Sequence, residues 1–392
     1  TRSINDNIHD LTHREAVNDV WWIIRRPEIR QAVEGSLGKN YWVQMKRWLQ
    51  EVSAPEQIGD PGAGNILRRV RGNISVAAMG LKFSVMLCQV TGLTQSVHKL
   101  GAYWTAVGIK ELYGNPLRTK EIIEEIYRKS PDLAGRNRTS YDRDIHDTIA
   151  MRNPLAERLK DKWVDIAFKP IGALDQAVVN PVWYGAYLKA TKDGKAEADA
   201  VYYADAMVRI TQPMGAAKDM SRAQRGWGYG DAGKLLTMFS TFFSGTQNLI
   251  WEQFHETKAD FAEGNYLKGG YKAGRAALLM ALLPALMEAL IKEGVPEDED
   301  DLKDIAKGAV SFTVGGMPVF KDAISYWLGD SYRFRPAPII ESVETVLRAP
   351  GGVVDILEGE TGKGVNRLVR GLGPLTGIPW GQIGTTLKGV EE

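Results

Sequence analysis

The sequence has almost no cysteine and no surplus of charge of one sign. Cys88 is the only cysteine in 392 residues, which excludes an intrachain disulfide and a cysteine zinc cluster. Because Cys88 lies in an apolar segment, a buried thiol is favoured over a nucleophile. The 49 Lys and Arg residues balance 48 Asp and Glu residues, so a nucleic-acid binder that works through bulk positive charge is excluded.

The alternation of apolar and polar residues that marks a half-buried strand is also missing. Apolar residues instead recur at steps of three and four along nearly the whole chain. This periodicity predicts an all-α fold, in the form of an extended multi-helix assembly protein. The predicted helices that bear on the site are Thr94–Tyr113, Leu117–Lys129, Ser140–Phe168, Leu174–Lys192, Ala196–Gln212, Gly233–Ala262 and Gly270–Lys292.

Glycine and proline divide the chain into three predicted parts. Residues 1–60 form an N-terminal helical segment, and a Pro/Gly loop at Pro55–Gly64 marks its end. Residues 61–310 form the main helical body with its apolar segments. Residues 311–392 form a Gly/Pro-rich tail, predicted to be largely irregular with short helices such as Val319–Leu328 and Ile339–Leu347. Because the chain begins with Thr1, we expect it to be a processed piece of a longer protein.

Motifs that would carry chemistry are incomplete. His9 and His13 have the four-residue spacing of paired metal ligands, but no third ligand lies nearby in the sequence. Gly359–Gly364 looks like a phosphate loop, but its glycine spacing is too short and a glycine follows the lysine, so a turn is favoured. We therefore predict no catalytic residues, metal, cofactor or small-molecule ligand, and no enzyme. A hydrolase is a weaker hypothesis, based on unpaired carboxylates alone.

The segment Ala276–Ile291 is the strongest physical signal in the sequence. Glu288 is its only charge, and its apolar residues lie all round the helix, so it must be buried in protein or in lipid. At about 24 Å the helix is shorter than a bilayer core, and Pro284 should kink it. A buried core helix and conditional membrane insertion both remain open.

Two further segments have few charges, Ile74–Leu93 and Leu235–Phe254, and the acidic run Glu293–Asp304 follows the most apolar helix. This pattern favours a chain that can meet lipid, with the acidic run opposing spontaneous insertion. The candidate membrane-active residues are Leu278, Leu279, Leu282, Leu283, Pro284, Leu286, Phe239, Phe242 and Phe243.

Arginines cluster near predicted helix ends, and such clusters can contact the phosphates of DNA or lipid headgroups. Solvated charges at helix ends are the simpler interpretation. The candidate contact residues are Arg68, Arg69, Arg71, Arg136 and Arg138.

Several short segments occur in an order that resembles one family. They are Leu81–Ser84, Leu87–Ser96, Asn180–Tyr187, Ala216–Gly226 and Leu235–Ser244, followed by the apolar helix at Ala276 and the acidic linker. The chain resembles, over residues 70–385, the C-terminal region of the large polyvalent internal virion (ejection) proteins of tailed phages.

This resemblance implies a structural component of the channel that carries the genome across the host cell envelope. It implies a location in the virion interior, then in the envelope after ejection. The implied partners are further copies of the chain, other internal virion or portal and tail proteins, the host membrane, and genomic DNA through non-specific contact. The alternative is a static structural protein of the virion core or portal vestibule, with no membrane step.

Overall fold

The computed structural model describes residues 17–53, 67, 70–74, 89–138, 158–213, 220, 224, 233–234, 237, 241–292, 299–314 and 338–376. Within these ranges the chain is helical and contains no strand. The all-α prediction is confirmed. The chain divides into two compact units, Thr1–Arg68 with Ala216–Leu235, and Arg69–Gly215 with Leu236–Glu392. The predicted boundaries at residues 60 and 310 stay predictions.

In the first unit, helices α1 (Pro27–Leu37) and α2 (Lys39–Ser53) pack on each other. Gly38 joins them with a positive φ of 89°, a conformation that glycine adopts without steric cost. Ile24, Trp42 and Leu49 form a small buried cluster here.

The second unit begins with a group of helices that we call the bundle. After a 3₁₀ turn at Gln89–Thr91, its helices are α3 (Gly92–Leu100), α4 (Ala102–Tyr113), α5 (Pro116–Lys129), α6 (Pro131–Arg138), α7 (Arg158–Lys192) and α8 (Glu197–Thr211). Helix α7 lies at the centre and packs against α4 and α8. The predictions for α5 and α8 are confirmed to within one residue at each end.

Two helix boundaries differ from the predictions. The predicted helix Thr94–Tyr113 is divided at Gly101, whose φ of 94° ends α3. The predicted break between Phe168 and Leu174 is absent, because α7 runs through Pro170 and Pro181. Pro181 has no N–H to bond the Ala177 carbonyl, and the Tyr113 hydroxyl donates to that carbonyl instead, at 2.8 Å.

The bundle has an apolar core centred on Trp183 of α7, which is fully buried. Its indole N–H donates to Asp205 of α8 at 2.7 Å, and the Ser130 hydroxyl donates to the same carboxylate at 2.6 Å. Burial raises the pKa of Asp205, against the two hydrogen bonds that lower it. Ser130 also accepts a hydrogen bond from the Leu133 N–H and so caps α6.

A second group, which we call the hairpin, comprises residues Thr241–Lys292. It contains α9 (Thr241–Ala262), α10 (Tyr266–Ala277), a π-helical turn (Leu278–Leu282) and α11 (Leu283–Lys292), and α12 (Glu299–Val314) packs against it. The π turn ends two residues before Pro284 and contains Met280, four residues before the proline. Since proline clashes with the carbonyl four residues earlier, widening the turn there accommodates the ring without ending the helix.

Three helices close the described chain: α13 (Pro338–Arg348), α14 (Gly351–Leu357) and α15 (Thr361–Thr376). The predicted helix Ile339–Leu347 is confirmed as α13, whereas Val319–Leu328 lies outside the described residues. Helix α15 was not predicted, because its glycines read as breaks. Gly364 instead packs against Gly352, and Gly371 against Ala349, at distances that leave no room for a Cβ.

Candidate functional site

The hairpin is closed by ion pairs between α9 and α10. Lys272 lies 2.8 Å from Asp260 and 3.1 Å from Glu256, and Lys268 lies 2.7 Å from Asp260. Hydrogen bonds from these lysines lower the pKa values of Asp260 and Glu256, and the two carboxylates raise the pKa of Lys272. Phe261 packs on Gly269 beside these pairs. The charged groups that join α9 and α10 therefore face each other across the hairpin.

Several large side chains of α10, the π turn and α11 are instead exposed to solvent. Leu267 is 93% exposed, Leu278 50% and Leu282 43%. We call this exposed row the leucine stripe, defined as Leu267, Tyr271, Leu278, Leu282 and Leu290. Steps of four, seven and four residues keep Leu267, Tyr271, Leu278 and Leu282 on one side of a helix, and Leu290 is exposed further along α11.

Four apolar residues of the same segment are buried, whereas Ala277 is exposed and Ala281 is half-buried. Ala276, Met280, Ala285 and Ala289 face inwards, and the first two pack with Leu249 of α9. The sequence predicted that Ala276–Ile291 must be buried all round. The prediction allowed burial in protein or in lipid, and protein covers only one side of this helix: the hairpin and α12 leave Leu278, Leu282 and Leu290 exposed.

The remaining candidate membrane residues differ in how far they are buried, and some lie outside what the structure describes. Leu279, Leu283 and Leu286 are half-buried, and Pro284 is buried. Phe239 lies outside the described residues. Phe242 and Phe243 lie in the first turn of α9, and their side chains are outside what the structure describes.

Exposed aromatic rings also occur on α9, and the sequence did not single them out individually. Trp251, 63% exposed, stacks on Phe254 with ring centroids 5.8 Å apart and meets His255 edge-on at 4.8 Å. Trp and Tyr are frequent where apolar and aqueous phases meet, because each ring has an apolar body and a polar handle. The signal in the sequence was the spacing of Trp251, Phe254 and His255, which puts them on one helix face.

The hairpin meets helix α3 of the bundle through polar groups, and we call this contact the seam. The Gln95 amide donates to the Thr246 hydroxyl at 2.7 Å, and both residues are buried. Lys99 pairs with Glu252 at 2.6 Å. Arg275 donates to the carbonyls of Val97 and His98 at 3.0 and 2.6 Å, where a cation also complements the carboxyl end of the helix.

The structure corrects the prediction of phosphate contact for two arginines. Arg136 is buried. Its guanidinium donates hydrogen bonds to both carboxylate oxygens of Asp175, at 2.9 and 2.7 Å, and to the Gln212 carbonyl at 2.6 Å. Arg71 is also fully buried. Neither side chain is presented to an external phosphate. Arg68 and Arg69 lie outside the described residues, and Arg138 ends α6 with its side chain outside them.

The part of the chain that the structure describes contains no helix with both the length and the apolar character needed to cross a bilayer. Among the same residues, no group of three or more His, Cys, Asp or Glu side chains could hold a metal ion. His9, His13 and Cys88 lie outside the described ranges. Residues 358–359 form a turn before α15, and the rest of the phosphate-loop-like segment, from Thr361, is helical.

Comparisons with protein families, with curated proteins and with solved structures find no match for this chain.

Proposed function

We propose that this chain is part of an internal virion protein of a tailed phage, and that it helps to form the channel that carries the genome across the host envelope. The order of short segments described above supports the proposal, since it resembles that family. In this proposal the chain is packaged in the virion interior with other internal or portal proteins, and it reaches the envelope after ejection. It has no enzymatic step of its own.

The observation that carries the proposal is the leucine stripe. Because this helix leaves Leu278, Leu282 and Leu290 exposed, apolar area stays in water at a cost of roughly 25 cal/mol per Å². Exposed apolar patches of this kind mark surfaces that meet a partner or a membrane. Without a described spanning helix, we propose that the hairpin lies in the membrane interface, where amphipathic helices bind.

The test uses Leu282→Arg in the full chain, with vesicles of phosphatidylethanolamine and phosphatidylglycerol. A cation costs about 2.5–3.5 kcal/mol at the bilayer centre and less near the interface, so we expect vesicle binding and dye leakage to fall about tenfold or more. Folding should change little, because Leu282 is partly exposed. Leu117→Arg is the matched control, since Leu117 is 93% exposed at the start of α5, in the bundle.

The alternative is a static component of the virion core, with no membrane step. It predicts that the wild-type chain neither floats with vesicles nor releases their dye. It also predicts that Leu282→Arg changes incorporation into particles instead of genome delivery. Normal incorporation together with lost delivery would favour the channel role.

Further copies of the chain are part of the proposal. Helices α13–α15 expose Leu347, Val353, Val354 and Leu357, which a neighbouring copy could cover. We expect sedimentation of the purified chain to show an oligomer at micromolar concentration. A well-folded monomer would contradict this part of the proposal.

A further inference from the structure

The seam divides two apolar clusters that have no residue in common. The bundle core around Trp183 contains residues of α3–α8, and the hairpin cluster contains Leu249, Ala276 and Met280. Helix α3 lies between them. Its buried side chains are polar apart from Leu100, which belongs to the bundle core; the polar ones are Thr94, Gln95, Ser96 and His98.

The hydrogen bonds of the seam are of a kind that water can replace. A hydrogen bond within a protein contributes little net free energy, because water offers the same bond to the separated groups, whereas bonds from a charged group such as the Arg275 guanidinium contribute more. The ion pair between Lys99 and Glu252 is partly exposed, and such pairs contribute little. The hairpin also meets the bundle where the π turn packs on α3 and where Gly245 of α9 packs on Pro213. Separating the polar contacts of the seam therefore loses less free energy than opening an apolar core.

The docked state also leaves polar atoms unsatisfied. Gln95 Oε1 and His98 Nδ1 are buried and find no hydrogen-bond partner among the described residues. A buried polar atom without a hydrogen-bond partner is unfavourable, because it has lost its bond to water. Both atoms lie on α3, and both would be hydrated if the hairpin moved away.

We propose that the hairpin is a detachable element, which separates from α3 along the seam and carries the leucine stripe to its target surface. This inference rests on the proposed membrane role for its trigger, the encounter with lipid. The hairpin keeps its own ion pairs between α9 and α10 and its own apolar cluster, so it stays folded when it leaves. The bundle core loses none of its members.

The first experiment measures separation directly through the reactivity of a single thiol. Thr246→Cys, in a Cys88→Ala background, places the thiol at the buried seam, and Thr105→Cys places a matched thiol at a buried position in the bundle. We expect phosphatidylethanolamine/phosphatidylglycerol vesicles to raise the maleimide reaction rate at position 246 at least tenfold and to leave position 105 unchanged. Equal rates at position 246 with and without vesicles would overturn the proposal.

The second experiment locks the seam reversibly. Lys99→Cys with Glu252→Cys joins α3 to α9 through a bis-methanethiosulfonate linker that dithiothreitol removes. Lys129→Cys with Glu197→Cys provides a control at another Lys–Glu pair, which joins α5 to α8 within the bundle. We expect the seam linker to abolish dye leakage, dithiothreitol to restore it, and the control linker to have no effect.

The two experiments separate failure of the inference from failure of the proposed function. Equal leakage from locked and unlocked chains would overturn detachment and leave the membrane role standing. No leakage from any chain would count against the membrane role, and the thiol rate at position 246 would still decide whether the hairpin separates.

Discussion

The bundle and the hairpin differ in what their helices bury. In the bundle, α7 turns Trp183 and Val182 into a shared apolar core, and Gly108 of α4 meets the backbone of α7 closely. In the hairpin, Ala285 and Ala289 are buried, whereas Leu282 and Leu290 are exposed. The bundle therefore buries its large apolar side chains in one shared core, whereas the hairpin leaves several of its large apolar side chains exposed to solvent.

The largest expected difference comes from removing one ion pair within the bundle and one at the seam. Arg136→Met leaves the buried Asp175 carboxylate without its bidentate partner, so we expect a loss of about 3–5 kcal/mol in the free energy of unfolding. Lys99→Met breaks the partly exposed pair at the seam, and we expect less than about 1 kcal/mol. Urea denaturation followed by circular dichroism measures both.

The double variant Arg136→Met with Asp175→Leu serves as the control for this prediction. Replacing both charges by apolar groups removes the stranded carboxylate, so most of the lost stability should return. Equal losses from Arg136→Met and Lys99→Met would mean that the buried pair and the seam pair contribute equally to the free energy of unfolding, and would contradict the prediction.

The sequence predicts where helices lie more reliably than it predicts which distant residues contact them. Steps of three and four residues were enough to place α5 and α8, because a regular apolar face depends on local residues. At Pro181, α7 is supported by a hydroxyl 64 residues away, since Tyr113 bonds the Ala177 carbonyl that Pro181 leaves open. Local rules cannot include such a contact.

The candidate site also depends on contacts between residues that are far apart in the sequence. Ala276–Ile291 is apolar all round, so its pattern marks the segment as important but cannot say which side faces outwards. Arg136 looked like a solvated charge at a helix end, because Asp175, its partner, lies 39 residues further along the chain. The glycines of α15 looked like breaks, and only the positions of Gly352 and Ala349 reveal them as contact points.

A single glycine-to-alanine change should have opposite effects in the two regions. At Gly108, a Cβ would collide with the Pro181 carbonyl and the Gly185 nitrogen, both backbone atoms, so we expect a loss of about 1–3 kcal/mol. At Gly274 in α10 the space around the Cβ is open, so we expect a gain of about 0.5–1 kcal/mol from helix propensity. Thermal denaturation of both variants measures the difference, and the same sign at both positions would refute it.

The smallest expected effect concerns pH at the seam. Burial, with smaller contributions from the nearby Arg275 and Lys99 cations, lowers the pKa of His98 from 6.5 to about 4. Between these two values the unfolded chain binds a proton that the folded chain does not, so stability is complete above pH 6.5 and falls as the pH drops towards 4. By pH 5.5 we expect a loss of about 1 kcal/mol. His98→Gln cannot titrate, so the difference in unfolding free energy between wild type and variant should follow this curve while the carboxylates, common to both, cancel. Parallel pH profiles for the two proteins would show that His98 is as accessible to protons in the folded chain as in the unfolded one.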